Sequence, residues 1–124
     1  DSFYYVLPGL LPQQKPAELL IRRERERQQE QQSDTAQTQW HLTMKLDIGE
    51  QGELLTKAKI RDEQLYLDIY SSNQALLEKV GVTLPFLLKR FTQLGLTVEE
   101  HKLQLGKIPD TLATRPYQIL ETQA

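Results

Sequence analysis

The side chains with the most capacity for chemistry are two histidines, three clustered carboxylates, two adjacent serines and a short run of arginines. His41 and His101 are far apart in the chain, and no cysteine or His-x-x-x-His spacing supplies the three or four donors that zinc requires. They read as surface or strand-edge histidines rather than as metal ligands or a general base. Asp47, Glu50 and Glu53 surround two glycines, but their spacing does not match a twelve-residue calcium loop, and acidic residues at turns ordinarily face water. Gly81 with Val82, Thr83, Leu84 and Pro85 matches neither of the glycine-rich phosphate loops. Ser71 and Ser72 lack the Gly-x-Ser-x-Gly elbow of a serine nucleophile and are better explained by helix capping. In the run Arg22, Arg23, Arg25 and Arg27 the alternating Glu24, Glu26 and Glu30 cancel the field that phosphate would need, so it reads as a solvated face. Tyr4, Tyr5, Tyr66, Tyr70 and Phe86 remain, either as core or as aromatic anchors of a protein interface. No catalytic centre, cofactor or metal site is expected, which leaves binding to another protein as the leading class of function.

The bulk properties agree with that class. A chain of 124 residues is one domain and buries roughly two-thirds of its unfolded surface, enough for a core without disulfide or metal staples. A formal net charge of −2, with both signs interspersed, offers no one-signed field to attract nucleic acid. The longest apolar run, residues 82–88, is interrupted by Thr83 and Pro85 and is far shorter than a membrane span. The start at Asp1, with no basic-then-apolar leader, predicts a C-terminal fragment of a longer chain.

Periodicity then places the elements. Residues 3–12 are apolar but carry Pro8, Gly9 and Pro12, which restricts any strand there to a short edge strand or an extended arm. Residues 17–27 suit either a strand or a helix start, with a strand over residues 19–24 preferred. Residues 28–38 have almost no apolar content and predict a mobile loop. From Trp40 the alternation is clear. Trp40, Leu42, Met44 and Leu46 form one strand face, Leu54, Thr56, Ala58 and Ile60 a second, and Leu65, Leu67 and Ile69 a third. Short turns between them predict an antiparallel meander. Ser71 followed by Gln74 resembles a capping box, and Leu76, Leu77, Val80, Leu84, Leu87, Leu88, Phe91 and Leu94 then recur at helical steps. Pro85 predicts a kink or restart with Thr83 as an N-cap, and Gly95 a C-terminal stop. Residues 96–105 form a last strand, and Gly106 to Pro109 lead out of it. The predicted fold is α+β: a β-meander, one kinked amphipathic helix packed on the sheet, and a final C-terminal strand. Its divisions are an N-terminal arm at 1–38, a core at 39–106 and a tail at 107–124.

Residues 40–106 resemble the C-terminal domain of bacterial flagellar hook-length control proteins, which is shared with needle-length regulators of related type III secretion systems. The similar features run in order along the chain: the strand and turn WHLTMKLDIGEQGEL, the strand pair TKAKIRDEQLYLDIYSSN, Ala75-Leu76-Leu77 leading to Leu84-Pro85, and the close at Leu94-Gly95-Leu96. Some members place a proline three residues before the motif proline, where this chain has Val82. The resemblance implies a non-enzymatic regulator in the bacterial cytoplasm, at the export apparatus, within a full-length protein that is itself secreted. It would contact the cytoplasmic domain of the export-gate switch protein and change export from hook-type to filament-type substrates. Carried over by position, Val82, Thr83, Leu84 and Pro85 fall on the leucine-proline motif, with Lys89 and Gln93 as exposed neighbours of a partner-binding face. The other reading open at this point is a scaffolding module that associates through a sheet edge, as a monomer in weak exchange with a homodimer.

Overall fold

The computed structural model describes residues 2–8, 15–25 and 38–113. The strands are β1 (Ser2–Leu7), β2 (Ala17–Arg25), β3 (Thr38–Asp47), β4 (Glu53–Arg61), β5 (Gln64–Ser71) and β6 (Thr97–Leu105), with one α-helix, α1 (Gln74–Gln93), between the last two and a short 3-10 helix at Gly49–Gln51 between β3 and β4. They form one six-stranded sheet in the order β1-β2-β3-β4-β5-β6, an α+β fold. The first five strands are antiparallel neighbours, as short turns allow, whereas β6 lies parallel to β5. A parallel neighbour requires a crossover long enough to return the chain to the same end of the sheet, and α1 is that crossover.

Residues 17–25, ambiguous in the sequence, are a strand because β3 offers them a full ladder: Leu19 stands opposite Met44 and Ile21 opposite Leu42. The N-terminal segment thus adds two strands to the meander, with β1 at the edge. Of the predicted mobile loop, residues 28–37 lie outside the described residues, and Thr38 opens β3. At the β3–β4 turn Asp47 Oδ1 accepts the Gly49 N–H at 3.0 Å and Gly49 has a left-handed φ of 68°. At the β4–β5 turn Asp62 takes the left-handed conformation, which an aspartate tolerates better than most residues.

The sheet's two faces are covered differently. On the front, Leu67, Ile69 and Leu84 form the buried centre, with Leu54, Ala58, Val80, Leu88, Phe91 and Leu103 packed around it. Here α1 lies on β5 and β6. On the back, the segment after β6 folds across the sheet: Ile108 is buried, as are Leu55 and Lys45. Glu18 anchors that segment. Its Oε1 accepts from the Leu112 N–H at 2.7 Å, the Tyr4 hydroxyl at 2.8 Å and the Thr111 hydroxyl at 2.9 Å. Residues 107–113 are therefore a strap on the sheet, and residues 114–124 lie outside the described part.

The helix differs from its predicted form at its start and middle. Its N-cap is Asn73, whose Oδ1 accepts the Leu76 N–H at 2.8 Å, and not Ser71. Ser71 is the last residue of β5, fully buried, and its hydroxyl donates to the Asn73 carbonyl at 2.8 Å. The capping box fails because β5 continues through Ser71, leaving Gln74 at the first helical position, where its side chain meets Glu78 instead. The helix also runs through Pro85 without restarting: Thr83 is inside it, donating its hydroxyl to the Lys79 carbonyl at 3.0 Å. The C-terminus ends as the glycine predicts. Gly95 has φ 91°, its N–H reaches the Thr92 carbonyl, and the Leu96 N–H reaches the Phe91 carbonyl, both at 3.0 Å, which is a Schellman pattern.

Two measurements check this account. Gly81 is inside α1 with an ordinary helical backbone, and a Cβ there would meet Leu103 Cδ1 at 3.6 Å, a normal contact. Gly81→Ala is therefore expected to raise stability by about 0.5–1 kcal/mol in urea titration, whereas Asn73→Ala is expected to lower it by about 1 kcal/mol. For Glu18, burial pushes the carboxyl up, but the bonds from Leu112, Tyr4 and Thr111 and the charge of Lys45 outweigh it and hold the group below its ordinary value of 4.5. Its contribution to stability is complete above that value and is lost as pH falls through the lower folded-state value. Glu18→Gln is expected to flatten that acid limb of the stability profile, and an unchanged limb would show that the strap does not depend on the carboxylate.

Candidate protein-binding surface

The sequence-predicted partner residues occupy consecutive turns of α1 but do not share one face. At 3.6 residues per turn, Val82, Lys89 and Gln93 line the side away from the sheet, and Phe86 completes the stripe between them. Val82 and Phe86 are 75% and 73% exposed, so a valine and a phenylalanine are presented to water together. Pro85 is exposed beside them. Leu84 points the opposite way, 6% exposed against Leu67 and Ile69, and its burial removes it from any partner contact. Thr83 faces the flank. The leucine-proline pair thus splits: the leucine holds the helix to the sheet, and the proline, which has no N–H for the Gly81 carbonyl, sits on the outside. Phe86 was identifiable as a member of this surface by helical spacing alone, two residues from a core position.

The same flank of α1 borders a trough. Thr83, Leu87 and Val80 form one wall, Leu46, Leu54 and Thr56 the floor, and the cavity volume is about 330 Å³. Beyond it the front of the sheet continues through β3, β2 and β1, where Leu42, Met44, Leu19, Ile21, Phe3 and Tyr5 share one side by their register. Alternation in the sequence predicted one face for Leu42 and Met44, and the pairing of β1, β2 and β3 brought the others to the same side. It carried no information on how far across the sheet the single helix would reach.

The back of the sheet has a shallower basin of about 440 Å³ whose lining mixes signs: Arg22, His41, Lys57 and Lys59 with Asp68 and Glu100. Lys59 stands 4.8 Å from the Tyr66 ring centre and Lys57 5.4 Å from that of Tyr70, so these two tyrosines are covered by lysines rather than offered as anchors. His41 Nε2 is 3.0 Å from Glu24 Oε1, and the hydrogen bond to that histidine, ahead of the nearby charges, lowers the Glu24 carboxyl. His101 stands opposite Leu67, on the other face, so the two histidines cannot share a ligand. Among the described residues no group of three or more metal-ligating side chains comes together. The hairpin carboxylates have structural partners: Asp47 accepts the backbone N–H groups of Gly49 and Lys15, and Glu53 pairs with buried Lys45 at 3.5 Å. Ser72 Oγ accepts the Glu53 N–H at 2.9 Å. Arg23 stacks 5.9 Å from the Trp40 ring centre, while Arg27 lies outside the described residues.

Among the described residues no helix is long and apolar enough to cross a membrane. What this surface can do chemically is bury apolar area against a partner, at roughly 1.5–3 kcal/mol for each large side chain fully covered. Compared with known proteins, the chain matches no family model, no curated protein and no solved structure.

Proposed function

We propose that this domain is a non-enzymatic protein-binding module whose partner contacts the outward stripe of α1. The observation that supports this reading most is the adjacent exposure of Val82 and Phe86, at 75% and 73%, on a helix already anchored by its other side. Two large apolar groups in water on one rigid face are a cost that contact with a partner removes. Pro85 stiffens the same turn, and Lys89 and Gln93 supply a polar rim, the arrangement of an apolar anchor ringed by polar contacts.

The partner we propose is the cytoplasmic domain of an export-gate switch protein in the flagellar type III apparatus, with regulation of hook length and of the change of export substrate as the outcome. The support is the resemblance of residues 40–106 to hook-length control domains, carried by the strand, strand-pair and helix segments that end at Leu94-Gly95-Leu96. On this reading the domain acts in the bacterial cytoplasm at the export apparatus.

A second reading has its own support. All six residues of β1 are exposed, the strand carries no charged residue, and it lies at the edge of the sheet, whereas the opposite edge strand β6 carries Glu99, Glu100 and Lys102. Uncharged edges are the ones that pair with further strands. Association through β1 would make the domain a scaffold.

An NMR titration of the labelled domain with the purified switch-protein domain separates the two. Shifts concentrated at residues 82–93, together with at least a tenfold loss of affinity in Phe86→Ala at unchanged stability, are expected for the switch reading. Shifts confined to β1, with a molecular mass that rises with concentration in light scattering, would replace it with the scaffold.

A further inference from the structure

Among the described residues, no element other than α1 covers the front of the sheet beside the trough. A helix about 10 Å wide covers about two strands spaced 4.7–4.9 Å apart, and α1 already covers β5 and β6. Among the described residues the front of β1–β3 has room for one more helix lying alongside α1. From Leu46 to Trp40 the front of β3 is about 20 Å long, which corresponds to a helix of roughly 13 residues.

The charges around the trough define its occupant. By the strand registers, the front of β1–β5 carries no carboxylate among the described residues: Glu18, Glu24, Asp47, Glu53 and Asp68 all fall on the back. The cations do not divide that way. Arg23 and Arg25 lie on the front of β2 at the Trp40 end, and on α1 Lys79 and Arg90 share the flank of Thr83 and Leu87 that walls the trough. An apolar floor therefore sits inside a rim of one sign.

From this we infer that the trough beside α1, together with the front of β1–β3 that extends it, is a docking site for an amphipathic helix of a partner protein, with an apolar stripe flanked by Asp or Glu. A second copy of this chain does not fit that description. Its α1 carries Lys79, Lys89 and Arg90 against the single carboxylate Glu78 and would bring a net positive helix to the cationic rim. The inference does not depend on the proposed export-gate partner, because it concerns the inner flank of α1 and not the Val82–Phe86 stripe.

Trp40, the only tryptophan of the chain, lies by its register on the front of β3 beyond the trough and is 36% exposed, which makes it the reporter. The probe is a stapled 14-residue helical peptide with a leucine stripe and glutamate flanks, titrated against its twin with lysine flanks. The expected result is a saturable blue shift of Trp40 emission and at least tenfold tighter binding of the glutamate peptide at low salt. That preference is expected to collapse in the Lys79→Glu/Arg90→Glu double variant and to survive Phe86→Ser. Tyr5→Asp, at the exposed far side of the floor, is expected to weaken both peptides without unfolding the domain. Equal affinity of the two peptides, an unresponsive Trp40, or a peptide-free dimer whose trough amides are protected from exchange would each overturn the proposal. Loss of binding in Phe86→Ser would assign the peptide to the outer stripe and overturn it as well.

Discussion

The junction Ser71-Ser72-Asn73 determines where everything on the front of the sheet lies. In three residues it ends β5, caps α1 and ties both to the β3–β4 turn. Ser71 is fully buried and bonds the Asn73 backbone, Ser72 Oγ receives the Glu53 N–H, and the Asn73 side chain caps Leu76 while its Nδ2 donates to the Gln51 carbonyl at 2.6 Å. Gly52 is part of the same joint. Its φ is 123°, and a Cβ on it would come within 2.5 Å of Asn73 Nδ2. A helix start pinned to a turn on a different strand pair has little freedom of direction. The Schellman stop at the other end, with the Thr97 N–H bonded to the Glu63 carbonyl at 2.8 Å, then returns the chain beside β5.

That geometry has a consequence for how the sheet can function. One helix is fixed over one half of a six-stranded sheet, so the apolar face of the other half is left as the floor of a trough. The back is managed differently, through a strap held by the Glu18 carboxylate and a half-covered basin of mixed charge. Burial opposes ionisation of Glu18, but three donors and the charge of Lys45 prevail. The strap therefore depends on a charge being kept, while α1 depends on apolar burial around Leu84. The distinctive property of the described surface is apolar area presented on rigid elements, which supports the binding role proposed above.

Much of this was legible in the residues themselves. The alternation of Trp40, Leu42, Met44 and Leu46, and of Leu65, Leu67 and Ile69, determined the strands and their inward faces, because a period of two admits one register with the core. The glycine at 95 determined the end of the helix, because a left-handed residue there costs least without a Cβ. The α+β class followed from the change of period after Tyr70. The partner residues expected on the helix included Leu84, which is core, and left out the exposed Phe86, since a motif read linearly does not distinguish the two sides of a turn.

Tertiary structure decided the rest, each time because a distant segment supplied what the local sequence left open. Residues 17–25 are a strand because β3 pairs with them, against a helical propensity of similar strength. Ser71 became the end of a strand rather than a cap because β4 and β6 extend their pairing to it, and the capping role passed to Asn73. Pro85 did not end the helix, which runs unbroken from Gln74 to Gln93 with Leu84, Leu88 and Phe91 in one cluster with Leu67 and Ile69. The composition determined that the chain would present apolar surface on a framework of mixed charge. Only the lateral position of α1 on the sheet, set by the Ser71-Ser72-Asn73 joint, decided which apolar residues became core and which stayed exposed.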